Sequence, residues 1–74
     1  MENIIIEITT EYIKLQDLLK FASVADTGGE AKHMVQEGKV KVNGAICTMR
    51  GRKIRPGDDV LAEGVHYAVS YADR

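Results

Sequence analysis

The sequence predicts an α+β fold in which two helices near the N-terminus pack on a small, mostly antiparallel β-sheet. Two segments place apolar residues at helical spacing, several others alternate apolar and polar residues, and Asn-Gly and Pro-Gly pairs mark turns in the second half. The chain has 74 residues, of which 45% are hydrophobic and 28% charged. These values suit one folded domain over residues 1–74 with a thin core.

The N-terminal third predicts a strand followed by a helix. Over residues 3–9, β-branched side chains alternate and share one face at Ile4, Ile6 and Ile8. Residues 11–24 follow as an amphipathic helix. Its apolar face comprises Leu15, Leu18, Leu19 and Ala22, and Phe21 extends it. Lys14 and Lys20 lie off this face, so solvation is their simplest role.

A second helix is predicted to start at Thr27, because Thr27 and Glu30 stand at the spacing of a capping box. Its apolar positions follow at Ala31, Met34 and Val35. Gly38 comes just past them, where a glycine can adopt the left-handed conformation that closes a helix. Two helices joined in this way also fit a helix-turn-helix that reads DNA, but the second one offers few base-reading side chains.

Strands and turns fill the rest of the chain. Val40 and Val42 alternate with lysines, and Asn43-Gly44 favours a tight hairpin. Residues 45–49 are expected to pair back with this strand, with Ile46 buried. Pro56-Gly57 fits a type II turn, from which a return strand starts at Asp58. A closing strand has one face made of Val65, Tyr67, Val69 and Tyr71, and it is a candidate partner for the N-terminal strand.

The charge is distributed unevenly along the chain, although the net charge is only −1. Residues 1–31 carry two basic and six acidic side chains, residues 32–55 carry seven basic and one acidic, and residues 56–74 carry one basic and four acidic. A polyanion responds to the local potential and not to the total. The middle segment is therefore the candidate contact surface for an anionic partner.

Three groups of residues in this segment are suited to phosphate. Gly28 and Gly29 follow Thr27 and expose backbone amides at a helix start. Lysines lie one turn into the helix and on the outward face of the next strand, at Lys32, Lys39 and Lys41. If residues 50–55 are extended, two arginines project together and two more cations border them: Arg50, Arg52, Lys53 and Arg55. The alternative is that the glycines permit a tight entry and the cations keep the domain soluble.

Motifs for other functions are missing from the sequence. Cys47 cannot form an internal disulfide, and neither a histidine nor a carboxylate flanks it as an activating group, so a structural thiol is expected. His33 and His66 are isolated from other metal-ligating residues. No run approaches the roughly 18 apolar residues that span a membrane. We therefore expect a cytoplasmic, non-enzymatic protein that uses no metal, cofactor, membrane or small-molecule substrate.

The runs TGGEAKHMVQEGKVKVNGAI at residues 27–46 and RGRKIRPGDDV at residues 50–60 resemble the ribosomal-protein S-four-type RNA-binding domain, also called the alpha-L RNA-binding motif. The family carries a Ser/Thr-x-x-Glu-Ala-Lys helix start, a Gly-x-Val-x-Val-Asn-Gly strand and turn, and a late Pro-Gly-Asp turn. The pattern covers about residues 13–61. Gly28 and Gly29 stand where larger members often carry an arginine, and this departure is similar to short, free-standing bacterial S-four-like proteins.

The resemblance implies RNA as the partner, in a ribosome- or translation-related role. Because the chain's few aromatic residues do not interleave with the basic segment, we expect the backbone of structured or double-stranded RNA to be recognised by a monomer. Charge alone does not separate RNA from DNA. Two alternatives are a small module that docks an acidic protein and a targeting subunit for an RNA-modifying enzyme on a separate chain.

Overall fold

Two helices, a five-stranded sheet and a two-stranded ribbon make up the fold. The computed structural model describes residues 2–72. In chain order the elements are β1 (Glu2–Ile8), β2 (Ile13–Lys14), α1 (Leu15–Phe21), α2 (Gly28–Gln36), β3 (Val40–Val42), β4 (Ala45–Ile46), β5 (Lys53–Ile54), β6 (Asp59–Ala62) and β7 (Val65–Tyr71). The predicted α+β class, with a helix pair and a mostly antiparallel sheet, is confirmed.

The large sheet has the strand order β1-β7-β6-β3-β4, and the ribbon consists of β2 and β5. Strand β1 runs parallel to β7, with Glu2 opposite Val65 and Ile8 opposite Tyr71. The other neighbours in the sheet are antiparallel. The predicted pairing of the N-terminal strand with the closing strand is therefore confirmed.

One apolar core joins the helices to one face of the sheet. The helices contribute their predicted stripes, which are buried at Leu15, Leu18, Leu19, Ala31, Met34 and Val35. The sheet contributes alternate residues, among them Ile6, Val40, Val42, Val60, Tyr67 and Val69. Residues between these positions lie on the outer face, where Ile5 is 69% exposed. Neither helix within residues 2–72 is long and apolar enough to cross a membrane.

Both ends of α2 match the prediction. Thr27 Oγ1 accepts a hydrogen bond from the Glu30 amide at 3.1 Å, and Glu30 Oε1 accepts one from the Asp26 amide at 3.4 Å. Gly38 has a φ of +76°, and its amide donates to the Val35 carbonyl while the Lys39 amide donates to the Met34 carbonyl. These two bonds are the Schellman pattern that satisfies the last carbonyls of a helix.

Helix α1 is shorter than the predicted 11–24. It starts at Leu15 because Ile13 and Lys14 pair with β5. It ends at Phe21 because Ser23 adopts a left-handed φ of 61° and donates its amide to the Lys20 carbonyl. The expectation that Phe21 extends the apolar stripe is wrong, since this ring is 64% exposed.

The hairpin turn is confirmed, but the burial predicted for Ile46 is wrong. Asn43 and Gly44 both have positive φ, 51° and 86°, as a type I′ turn requires. Strand β4 is only two residues long, and Ile46 pairs with Lys41 on the outer face of the sheet, where it is 61% exposed. The next residue, Cys47, is the buried one.

Candidate nucleic-acid interface

The predicted site residues fall on three parts of the surface. The first is the start of α2, the second is the strand region around β3, and the third is the basic loop. We define the basic loop as residues 50–55 without Ile54, which is buried. All are exposed except the half-buried Gly28: Thr27, Gly28, Gly29, Lys32, Lys39, Lys41, Arg50, Arg52, Lys53 and Arg55. The exposed cations are thus open to an anionic ligand.

The backbone of the basic loop is fixed against the start of α1. The Leu15 amide donates to the Arg52 carbonyl at 2.9 Å, and the Gln16 amide donates to the Arg50 carbonyl at 3.0 Å. First-turn amides of a helix need acceptors from outside the helix, and α1 has no side-chain cap. The loop therefore caps the helix with its carbonyls, while both arginine side chains stay exposed.

The loop is not extended throughout, which corrects the geometry assumed for the arginines. Arg50 and Gly51 form a turn closed by a 3.1 Å hydrogen bond from the Arg52 amide to the Met49 carbonyl. Only Lys53 and Ile54 are extended, as β5. In this conformation the Arg50 and Arg52 carbonyls accept from α1, a long-range contact that the charge pattern does not encode.

A second turn holds the far end of the loop. Gly57 has a φ of +99° and the Asp58 amide donates to the Arg55 carbonyl, which confirms the type II turn. Asp58 Oδ2 accepts from the Arg55 amide at 2.8 Å, and its Oδ1 accepts from Asn43 Nδ2 at 3.0 Å. Asn43 Oδ1 in turn accepts from the Asp59 amide at 2.9 Å. One carboxylate thereby ties the hairpin turn to the basic loop.

These hydrogen bonds lower the pKa of Asp58, chiefly through the Arg55 amide and also through Asn43. The charges of Arg52 and Arg55 lower this pKa further, whereas partial burial of the carboxylate raises it. A depressed folded-state pKa adds stability above the unfolded-state value and loses it as the pH falls through the folded-state value. Asp58 therefore stabilises the fold at neutral pH. Its contribution should decline below about pH 4.

We expect Asp58→Asn to lower the free energy of unfolding at pH 7 by about 1 to 2 kcal/mol, because the carboxamide has no charge and only one acceptor oxygen for the two donors that the carboxylate serves. Urea unfolding at pH 7 and at about pH 3 measures this cost, which should shrink in acid as the wild-type carboxylate is protonated. A cost that is equal at both pH values would contradict the role given to the charge.

The β2–β5 ribbon brings further side chains to the basic loop. Ile13 pairs with Ile54 and Lys14 with Lys53. Ile54 is completely buried, so the alternate residues of both strands point outward. There the Lys53 Nζ lies 4.9 Å and the Arg55 Cζ 5.9 Å from the centre of the Tyr12 ring. We define the ribbon face as Tyr12, Lys14, Lys53 and Arg55.

The expectation that no aromatic residue interleaves with the basic segment is therefore wrong for Tyr12. The sequence assigned Tyr12 and Lys14 to a helix, and it missed both as neighbours of the basic loop. The available signal was the alternation of polar and apolar residues from Tyr12 through Lys14. That signal is short, and the strand that confirms it lies far along the chain.

Lys39 differs from the other predicted cations because it forms an ion pair with a carboxylate of the same chain. Lys39 Nζ lies 3.1 Å from Glu37 Oε1, and the second oxygen of Glu37 lies 2.9 Å from His33 Nε2. The hydrogen bond from Lys39 is the main cause that lowers the pKa of Glu37. Among residues 2–72, no carboxylate oxygen comes within 4.0 Å of the charged nitrogens of the remaining exposed cations of this surface: Lys14, Lys32, Lys41, Arg50, Arg52, Lys53 and Arg55.

The two glycines at the start of α2 are not required by the fold. Neither has a positive φ, a Cβ on Gly28 would meet no atom within 4 Å, and one on Gly29 would meet only Thr27 Oγ1 at 3.9 Å. The Thr27 hydroxyl is used by the Glu30 amide. The glycines leave the first amides of α2 open to close approach, whereas Thr27 serves the helix itself.

The strand lysine Lys41 lies on a different layer from the helices. Its neighbours Val40 and Val42 are buried in the core, so Lys41 points to the outer face of the sheet. Across the sheet it lies opposite Leu61 and Ile46.

Within residues 2–72 no group of three or more His, Cys, Asp or Glu side chains is arranged to hold a metal ion.

Fold and surface together define a small α+β domain with an exposed cationic surface that its own carboxylates leave largely unpaired. The sequence matches the S4 domain family over residues 6–70. The chain belongs to the S4 domain family, which confirms the resemblance seen in the helix-start, Val-Asn-Gly and Pro-Gly-Asp motifs.

Similar proteins occur in other bacteria. One is the "Probable ribosome maturation protein RlbA" of Bacillus subtilis (strain 168), 46% identical over 59 residues that cover 80% of this chain and 83% of the relative. Another is the "Putative RNA-binding protein YbcJ" of Escherichia coli (strain K12), 40% identical over 53 residues that cover 72% of this chain and 76% of the relative.

Proposed function

We propose that this protein is a non-catalytic RNA-binding domain that acts in a ribosome-related process. The observation that carries the proposal is the set of exposed cations around the basic loop, none of which has a carboxylate within 4.0 Å among residues 2–72. Membership of the S4 domain family and the printed names of the two relatives support RNA as the polyanion and the ribosome as the setting.

The basic loop is the main contact in this proposal, with Arg50, Arg52, Lys53 and Arg55 binding phosphates. Arginine suits this task because its planar fork donates two parallel hydrogen bonds. The open amides of Gly28 and Gly29, with Lys32 one turn later, supply a second contact. Lys41, on the outer face of the sheet, and Lys39, which is paired with Glu37, add only to the wider positive potential. Thr27 stabilises the first turn of α2, and so this second contact, by accepting a hydrogen bond from the Glu30 amide.

Structured or double-stranded RNA is the class of ligand that this surface suits best. Proteins that read single strands stack bases on free aromatic rings beside their cations. Here the Tyr12 ring already has two cations within 6 Å of its centre. The exposed rings of Phe21 and Tyr71 belong to α1 and β7 and not to the basic loop. Contacts to phosphate and sugar therefore dominate the proposed mode.

A fluorescence titration of a labelled RNA hairpin, repeated across a range of salt concentrations, tests this function. If four or five phosphates are contacted, the logarithm of the association constant should fall against the logarithm of salt with a slope of about −3.6 to −4.5. Competition should be strong with duplex RNA and weaker with an unstructured single strand. Binding that ignores salt, or tight binding to an acidic protein without RNA affinity, would overturn the proposal.

A further inference from the structure

We infer that the ribbon face is a further phosphate-binding surface, in which Lys14 contacts the ligand and Tyr12 positions Lys53 and Arg55. This inference rests on the proposed RNA-binding function. It extends the site from the basic loop to residues that precede α1 and that the charge pattern of the sequence left out.

The pairing of Lys14 with Lys53 is the first observation. Residues directly opposite in an antiparallel pair have Cβ atoms about 5 Å apart, and like charges there are unfavourable. Both lysines are exposed, and no carboxylate oxygen within residues 2–72 lies within 4.0 Å of either ammonium group. An anion bound between the two ammonium groups would relieve this repulsion. A phosphate of a nucleic-acid backbone is the anion that the proposed function supplies.

The Tyr12 ring is the second observation. Two cations approach its centre, at 4.9 Å for the Lys53 Nζ and 5.9 Å for the Arg55 Cζ. Such contacts restrict long side chains that would otherwise sample many rotamers. A site whose cations are already ordered loses less entropy when it binds. Tyr12 is therefore a positioning residue that acts through Lys53 and Arg55.

The ribbon also has a rigid support. Its inner side is anchored by the fully buried Ile54, and its ends are held by the Leu15 amide on the Arg52 carbonyl and by the Asp58 carboxylate on the Arg55 amide. A hollow beside β2 is lined by Tyr12 and Lys14 together with Glu11 and Asp17. Those carboxylates repel phosphate, so we place the phosphate on the Lys53 side of Lys14 and not in the hollow.

Four single variants test this inference in the RNA hairpin titration. Lys14→Gln should weaken binding about eightfold at about 0.1 M salt and make the salt slope shallower by about 1, which is the counterion release of one phosphate contact. Lys20→Gln is the matched control, because it removes the same charge from α1 at a lysine paired with Asp17. It should change the affinity less than about twofold and leave the salt slope unchanged.

Tyr12→Leu should weaken binding roughly twofold to fivefold, the range of one exposed cation–π contact, with the slope unchanged because no charge is lost. Tyr12→Phe keeps the ring and should bind like the wild type. Circular dichroism checks that each variant is folded. Equal effects of Lys14→Gln and Lys20→Gln would overturn the contact assigned to Lys14. Tighter or unchanged binding by Tyr12→Leu, or equal weakening by Tyr12→Phe, would overturn the positioning role.

Failure of the ribbon face as a phosphate-binding surface can be distinguished from failure of the proposed RNA-binding function. If the wild type binds the hairpin and neutralisation of Arg50 and Arg52 weakens that binding, the basic loop is an RNA site whatever Lys14 does. Under those conditions a silent Lys14→Gln variant rejects only the ribbon face. If the wild type itself does not bind RNA, both proposals fail.

Discussion

Replacing Arg50, Arg52 and Lys53 together by glutamine is expected to weaken RNA binding roughly 500-fold at about 0.1 M salt. The estimate takes one phosphate per cation and about eightfold for each lost contact, and the salt slope should become shallower by about 3. The loop's backbone carbonyls cap α1, and the side chains take no part in those bonds. The substitutions therefore remove charge while leaving the capping bonds in place. Fluorescence titration across a salt series measures both quantities.

Net charge alone also affects binding, so the triple variant needs a control with the same total change of −3. Lys20→Glu with Asn3→Asp provides it, since both residues are exposed and lie outside the proposed site. Lys20 is in the last turn of α1, at the opposite end from the start that the basic loop caps, and Asn3 is on β1. This double variant should retain affinity within a fewfold of the wild type. If both variants lose affinity equally, binding follows the general potential of the protein. The basic loop would then be no specific site.

Local patterns were sufficient for the parts of the fold that depend on neighbouring residues. The cap at Thr27, the left-handed Gly38 and the Asn43-Gly44 turn each arise from contacts within a few positions of the chain. The apolar stripes of both helices correctly predicted the helical part of the core. Such features are readable because short-range hydrogen bonds and backbone conformations follow directly from residue type.

Long-range contacts explain what was missed. A two-residue strand such as β2 shows an alternation too short to predict it, and it forms by pairing Ile13 with Ile54, which is distant in the chain. That pairing shortened α1. Burial at an edge strand is equally non-local, since the exposure of Ile46 follows from pairing with Lys41 on the outer face of the sheet. Sequence periodicity does not say which face of an edge strand is covered.

In the candidate site, too, the local sequence features were predictable and the long-range contacts were not. The charge pattern identified the basic loop, and the family motifs identified the start of α2. The contribution of Tyr12 and Lys14 required the ribbon, and the distinction between the paired Lys39 and the unpaired arginines required side-chain positions. Charge can be counted in a sequence, but the partner of each charge is a property of the fold.

Ile54→Ala is expected to cost about 3 kcal/mol of unfolding free energy, the largest stability effect among the predicted variants. Ile54 is the fully buried residue of the two-residue strand β5, and a cavity there adds to the lost transfer energy. A chain of this size has a total stability of about 4 to 11 kcal/mol, so much of it would be lost. Urea unfolding followed by circular dichroism measures the change in midpoint.

Ile46→Ala is the matched control, because it makes the same chemical change at a residue that is 61% exposed. Its cost should stay below about 1 kcal/mol, since little apolar area leaves contact with the core. Equal costs at the two positions would contradict the burial of Ile54. Ile54→Val removes one methylene, should cost only about 1 kcal/mol, and should keep RNA affinity. If Ile54→Val stays folded but loses RNA affinity, the packing of Ile54 positions the binding cations, because Lys53 and Arg55 lie on either side of Ile54 in the chain.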